Sequence, residues 1–138
     1  MTDDLIAFLN ARLDEDERIA KAATPGPWHI PEHDPIAYCV DSPDGSGRIC
    51  KFGDRACSDD VHNSLHVVRH DPARVLREVT AKRVIVTRYA AVRRAFDDRE
   101  GGLWPDVTRR EKSHAYATLC DLAGIWSDHP DYQDEWAS

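Results

Sequence analysis

The chain has 138 residues, 41% of them apolar and 31% charged, with a net charge of −7. That length predicts one domain able to bury a real core, and the composition is that of an ordinary globular protein. No run approaches the ~18 apolar residues of a membrane span, and the acidic start Met1-Thr2-Asp3-Asp4 is not a secretory leader, so the expected location is the cytoplasm.

Residues 2–23 predict a first helix. Thr2 suits its cap, Asp3 and Asp4 suit the positive end of the helix dipole, and Leu5, Ile6, Leu9, Leu13, Ile19 and Ala20 form a broad apolar stripe. The acidic run Asp14-Glu15-Asp16-Glu17 lacks the alternating ligands and the glycine of a calcium loop, so it is expected to be a solvated face. Thr24-Pro25-Gly26-Pro27 stops the helix, because neither proline can continue it. Residues 28–52 then predict a small antiparallel meander. Its strands would be Trp28-His29-Ile30, Ile36 to Val40 and Arg48 to Phe52, with Ser42-Pro43-Asp44-Gly45-Ser46-Gly47 a strong turn signal. Such a meander needs a helix on one face to be stable.

A helical part follows over 59–126. A short helix from about Asp60 to His70 would present Val61, Leu65 and Val68 on one side. His70-Asp71-Pro72 then forms a joint, with Asp71 capping a long helix and Pro72 in its first position. That helix should run to roughly Asp98, with Val75, Leu76, Val79, Val86 and Tyr89 on a face extended by Ile85, Val92 and Phe96. Its weak point is the β-branched run Val84-Ile85-Val86-Thr87, whose propensity is equally that of a strand. Residues 99–112, with Gly101-Gly102 and Pro105, predict a loop, and Ser113 to Trp126 a last helix. Residues 127–138 form an acidic, aromatic tail. The fold class expected is α+β, a small antiparallel β-meander packed against three to four helices.

Several stretches together resemble an actinobacterial and actinophage family of unknown function, DUF6221. They are Asp3 to Leu9, Arg12 to Asp16, Ala22-Ala23-Thr24-Pro25-Gly26-Pro27-Trp28, Arg69 to Leu76, and Asp128-His129-Pro130-Asp131-Tyr132. More loosely, the Thr-Pro-Gly-Pro-Trp element followed by a helix–Pro–helix is similar to phage Ead/Ea22-like proteins. The resemblance implies a phage or actinobacterial accessory protein and implies no activity. The chain departs from those relatives between Phe96 and Ser113, where they often carry Cys and His and this chain has neither.

The residues themselves suggest three chemistries. Cys57, His62, His66 and His70 form the sharpest constellation: a spacing of four places His62 and His66 on one helical face, the geometry of a two-imidazole zinc site, with Cys57 or Cys50 as a soft ligand. His70 stands too near the Pro72 joint for its phase to follow from spacing, and there is no Cys-x-x-Cys pair. His70-Asp71 suggests a base oriented by a carboxylate, but no nucleophile is linked to it and capping explains both residues. The chain is therefore expected not to be an enzyme. The four cysteines are expected to be thiols, none marked as activated.

Residues 69–112 carry a charge of +5, which leaves −12 for the rest. A basic middle of this kind fits nucleic acid, or it complements the acidic ends of the same molecule; the charges are spread singly, which favours the second. Trp28 fits a plug between meander and helix better than a recognition loop. Tyr132 and Trp136 fit equally a docking segment for a partner or a strap folded back on the long helix. The leading expectation is a non-enzymatic protein that binds a host macromolecule, with a small-ligand or zinc module at Cys57/His62/His66 second and nucleic-acid binding third.

Overall fold

The computed structural model describes residues 2–32, 39–52, 58–97 and 105–137. Among them are four helices, α1 (Thr2–Ala22), α2 (Ser58–Arg69), α3 (Pro72–Asp97) and α4 (Pro105–Ala123). They accompany one antiparallel sheet of two strands, β1 (Cys39–Asp41) and β2 (Arg48–Lys51), which makes a small α+β fold. Contacts divide the chain into two compact units. One joins Met1–Glu15 to Thr80–Ser138, and the other is Asp16–Val79.

In the first unit, α1 buries Leu5, Phe8, Leu9 and Leu13, the helical spacing expected of its stripe. Val86 and Tyr89 of α3, Leu119, Cys120 and Ala123 of α4, and Trp136 complete this core. A fully buried leucine stabilises the fold by roughly 1.5–3 kcal/mol, so Leu5, Leu9, Leu13 and Leu119 anchor the unit. The run Val84-Ile85-Val86-Thr87 is helical. Burying Val86 and Tyr89 on one face outweighs the small intrinsic penalty of β-branched residues. The buried face is narrower than expected, for Val84, Ile85 and Val92 are exposed. Arg83 donates to Asp14 at 2.6 Å and Arg93 clamps Asp3, so part of the basic middle is matched by carboxylates of α1.

The last helix begins eight residues earlier than Ser113, at Pro105. Pro105 reads locally as a loop signal, but at a first helical position its missing N–H removes nothing and its fixed φ favours the helix. After α4, a 3-10 turn covers Gly124–Trp126 and another covers Asp134–Trp136.

In the second unit, β1 and β2 pair through Cys39↔Lys51, Val40↔Cys50 and Asp41↔Arg48, with an irregularity at Val40/Asp41. The expected strand at Trp28-His29-Ile30 reduces to one bridge, in which His29 and Asp41 exchange both backbone hydrogen bonds at 3.1 and 2.9 Å. Much of the expected middle strand, 36–38, lies outside the described residues. The hairpin turn is as the sequence predicts. Gly45 takes the left-handed region (φ 67°), and Asp44 accepts from the Ser42 and Ser46 hydroxyls and the Ser46 N–H. Those donors hold the Asp44 carboxyl down to about 2.

Helix α2 packs against β1, and of its expected face Val61 and Val68 are half-buried while Leu65 is not. Ser64 is fully buried, with a hydroxyl that finds no partner among the described residues, while Leu65 is 47% exposed. Three apolar residues over two turns define the phase loosely, and Ser64 takes the inward position that Leu65 was expected to share with Val61 and Val68.

Candidate functional site

Two of the sequence's most distinctive stretches meet in the second unit. Asp71 is buried at the joint between α2 and α3, and one carboxylate oxygen accepts the Arg74 N–H at 2.7 Å, capping α3 as expected. The other oxygen accepts the Trp28 N–H at 3.2 Å, from 43 residues away. Gly26 comes so close that a Cβ there would stand 2.9 Å from the Asp71 carboxyl carbon and 3.0 Å from Ala73 Cβ. Only glycine fits without displacement. Trp28 Nε1 donates to the Thr24 carbonyl at 3.0 Å, so the turn fixes both polar handles of its tryptophan. Arg74 closes the joint, donating to the last carbonyl of α2, Arg69 O, at 3.2 Å and to Glu78 at 2.7 Å.

The result is an open cleft of about 270 Å³ beside the joint. Its walls are Ile19, Ala20 and Ala23 of α1, Trp28, and Pro72 and Val75 at the start of α3, with Asp16 and His70 as the ionisable residues. Ile19 is 55% exposed although it belongs to the α1 stripe. The cleft is mainly hydrocarbon with few polar groups, the general character of a binding site. The stripe continues through Ile19, Ala20 and Ala23, but nothing local says that this part of it stays uncovered.

The catalytic reading of His70-Asp71 fails on geometry. Both Asp71 oxygens are occupied by backbone N–H groups, and the His70 ring instead stacks on His66, with centroids 4.3 Å apart. His70 Nδ1 also lies 3.1 Å from the His66 carbonyl. His62 and His66 are exposed on α2, one turn apart, and Cys57 lies outside the described residues. Among the described residues no three His, Cys, Asp or Glu side chains are grouped to hold a metal. Cys39, Cys50 and Cys120 form no disulfide there, and burial together with the neighbouring Cys39 pushes the Cys50 thiol up, away from activation.

The tail residues lie in the first unit. Trp136 is 1% exposed and packs on Phe8 at 5.0 Å between ring centroids, and Tyr132 meets both rings edge-on at 6.1 and 5.7 Å. The tail is folded back, and its aromatic seat is Phe8 of α1 where the long helix α3 was expected. His129 packs against the same Phe8, and the Arg12 guanidinium lies against its ring.

Fold and site define a small α+β protein with an open, largely apolar cleft, beside which Asp71 and Arg74 hold the backbone. The chain belongs to a family of unknown function, DUF6221, whose model matches residues 2–138. No curated protein and no solved structure matches it.

Proposed function

We propose that this is a non-enzymatic accessory protein, of phage or actinobacterial origin, that binds a host protein by taking an aliphatic or aromatic side chain into the Trp28 cleft. The single observation that carries this reading is the construction of the cleft. Asp71 holds the Trp28 backbone and α3 in one rigid frame, and the apolar walls beside it, Ile19 above all, are left open. Immobilised Trp is a frequent anchor in protein recognition, because little side-chain entropy remains to be lost on binding. His70 at the edge of the cleft keeps a small-ligand module as the second reading, with the ligand in the same place.

The test compares wild-type protein with Ile19→Glu as bait in host extract, after circular dichroism has established that both fold. A host protein held by the wild type and lost with Ile19→Glu supports the proposal. Capture unaffected by Ile19→Glu but abolished by Tyr132→Ala overturns the cleft as the surface. Native mass spectrometry of chelator-free protein separates the alternatives: a retained small molecule lost with Ile19→Glu favours the second reading, and a zinc-sized mass excess lost with His66→Ala favours the metal module.

A further inference from the structure

The end of α2 sets two imidazoles against each other on its surface. The chain reaches His70 still in helical register, because its backbone N–H bonds to the carbonyls of His66 and Val67 at 3.2 and 3.1 Å. His66 and His70 are therefore neighbours one turn apart on a single face. Their rings stack, with centroids 4.3 Å and planes 27° apart, and both residues are exposed.

One hydrogen bond selects the nitrogen that His70 has to offer. Its Nδ1 lies 3.1 Å from the His66 carbonyl oxygen, and a carbonyl can only accept, so Nδ1 carries the proton. In the neutral ring Nε2 then holds the lone pair, on the side away from that carbonyl. A ring whose N–H is held by a backbone carbonyl while its other nitrogen stands open is arranged as a metal ligand is. His66 makes no side-chain hydrogen bond among the described residues, so its ring is able to turn a nitrogen towards the same point. Two nitrogens bound at ~2.0–2.1 Å to one ion stand about 3 Å apart, so a pair already stacked this closely needs only a small rotation.

The surroundings limit the site to two protein ligands. Asp71 brings negative charge next to His70, but both its oxygens accept backbone N–H groups. His62 lies eight residues before His70, about 12 Å along the helix, and does not reach the same ion. No third His, Cys, Asp or Glu side chain is grouped with the pair among the described residues.

We propose that His66 and His70 chelate a first-row transition-metal ion, copper(II) most tightly, with water in its other positions. Two imidazole nitrogens without a thiolate suit Cu(II), which such donors bind above Ni(II) and Zn(II). Once one ring has bound, the other closes intramolecularly, so the pair holds the ion far better than either ring alone. The ion stands at the rim of the cleft, because His70 is one of its lining residues. Metal binding here does not depend on what fills that cleft.

The experiment is isothermal titration calorimetry of the untagged full chain with Cu(II) at pH 7.5, glycine serving as the competing chelator. Pulsed electron paramagnetic resonance of the complex then counts the imidazoles on the ion. Wild type should take up one ion per chain in a tight event, with two imidazoles in the spectrum. His66→Ala and His70→Ala should each weaken that event at least about tenfold and leave a single imidazole. His62→Ala and His114→Ala should retain it, and all four positions are exposed, which favours folded variants. Absence of a tight event in wild type overturns the proposal, as does one that survives His70→Ala or disappears with His62→Ala. Should His66→Ala or His70→Ala fail to fold, the wild-type imidazole count and its persistence in His62→Ala decide.

Discussion

Trp136 and Trp28 show two opposite ways of using a tryptophan. Trp136 is spent as hydrocarbon: it is 1% exposed, its ring lies on Phe8, and its Nε1 finds no acceptor among the described residues. An orphaned buried donor costs about 1–3 kcal/mol, so the apolar area must outweigh it. Trp28 is only half-buried, yet its backbone N–H and its Nε1 are both satisfied, by Asp71 and Thr24. The first residue is held by burial, the second by polar restraint that leaves ring surface in an open cleft. Burial and hydrogen-bond satisfaction are thus decoupled, and it is the satisfied, less buried residue that suits recognition.

The largest expected effect breaks the first half of this contrast. Trp136→Ala should destabilise the protein by about 3–5 kcal/mol in urea unfolding, as removal of a buried aromatic does. Trp136→Phe sharpens it: the variant discards the orphan N–H with most of the ring area, and should cost far less than the alanine variant. Equal losses for the two would mean that the indole N–H has a partner after all.

Breaking the second half should cost less. Asp71→Ala removes the α3 cap and strands the Trp28 N–H, for an expected loss of about 1–3 kcal/mol by the same measurement. It should also increase hydrogen exchange at the Trp28 and Arg74 amides while leaving the Trp136 indole unchanged. A change confined to Arg74 would show that Asp71 caps the helix without holding the turn.

The smallest effect concerns a second polar-held turn in the same unit. Asp44, fully exposed, is held down to about 2 by the Ser46 and Ser42 donors. Its folded value lies below its unfolded one, so its contribution is complete above the ordinary carboxylate range and is lost as the pH falls through about 2. The Ser46 amide resonance should titrate with that midpoint, and Asp44→Asn should remove the transition. A midpoint near 4 would show that the turn does not hold the carboxylate.

Much of this was written locally. Proline and glycine ended α1 after Ala22, the spacing of Leu5, Leu9 and Leu13 set its buried face, Asp71-Pro72 announced the start of α3, and Ser42 to Gly47 announced the hairpin turn. Each depends on residues within a turn or two of one another, so periodicity, capping and turn chemistry suffice. What the tertiary structure decided involves partners far apart in the chain. Ser64, not Leu65, is the fully buried residue of α2, a helix that packs against β1. The strap found its seat on Phe8 and Arg12, where only the path of the chain brings residues 117 positions apart into contact. Trp28 became a presented ring because Asp71, 43 residues on, had a second oxygen to offer. Short-range rules carry no information about which distant surface will arrive, and the uncovered stretch of α1 beside Ile19 exists for that reason.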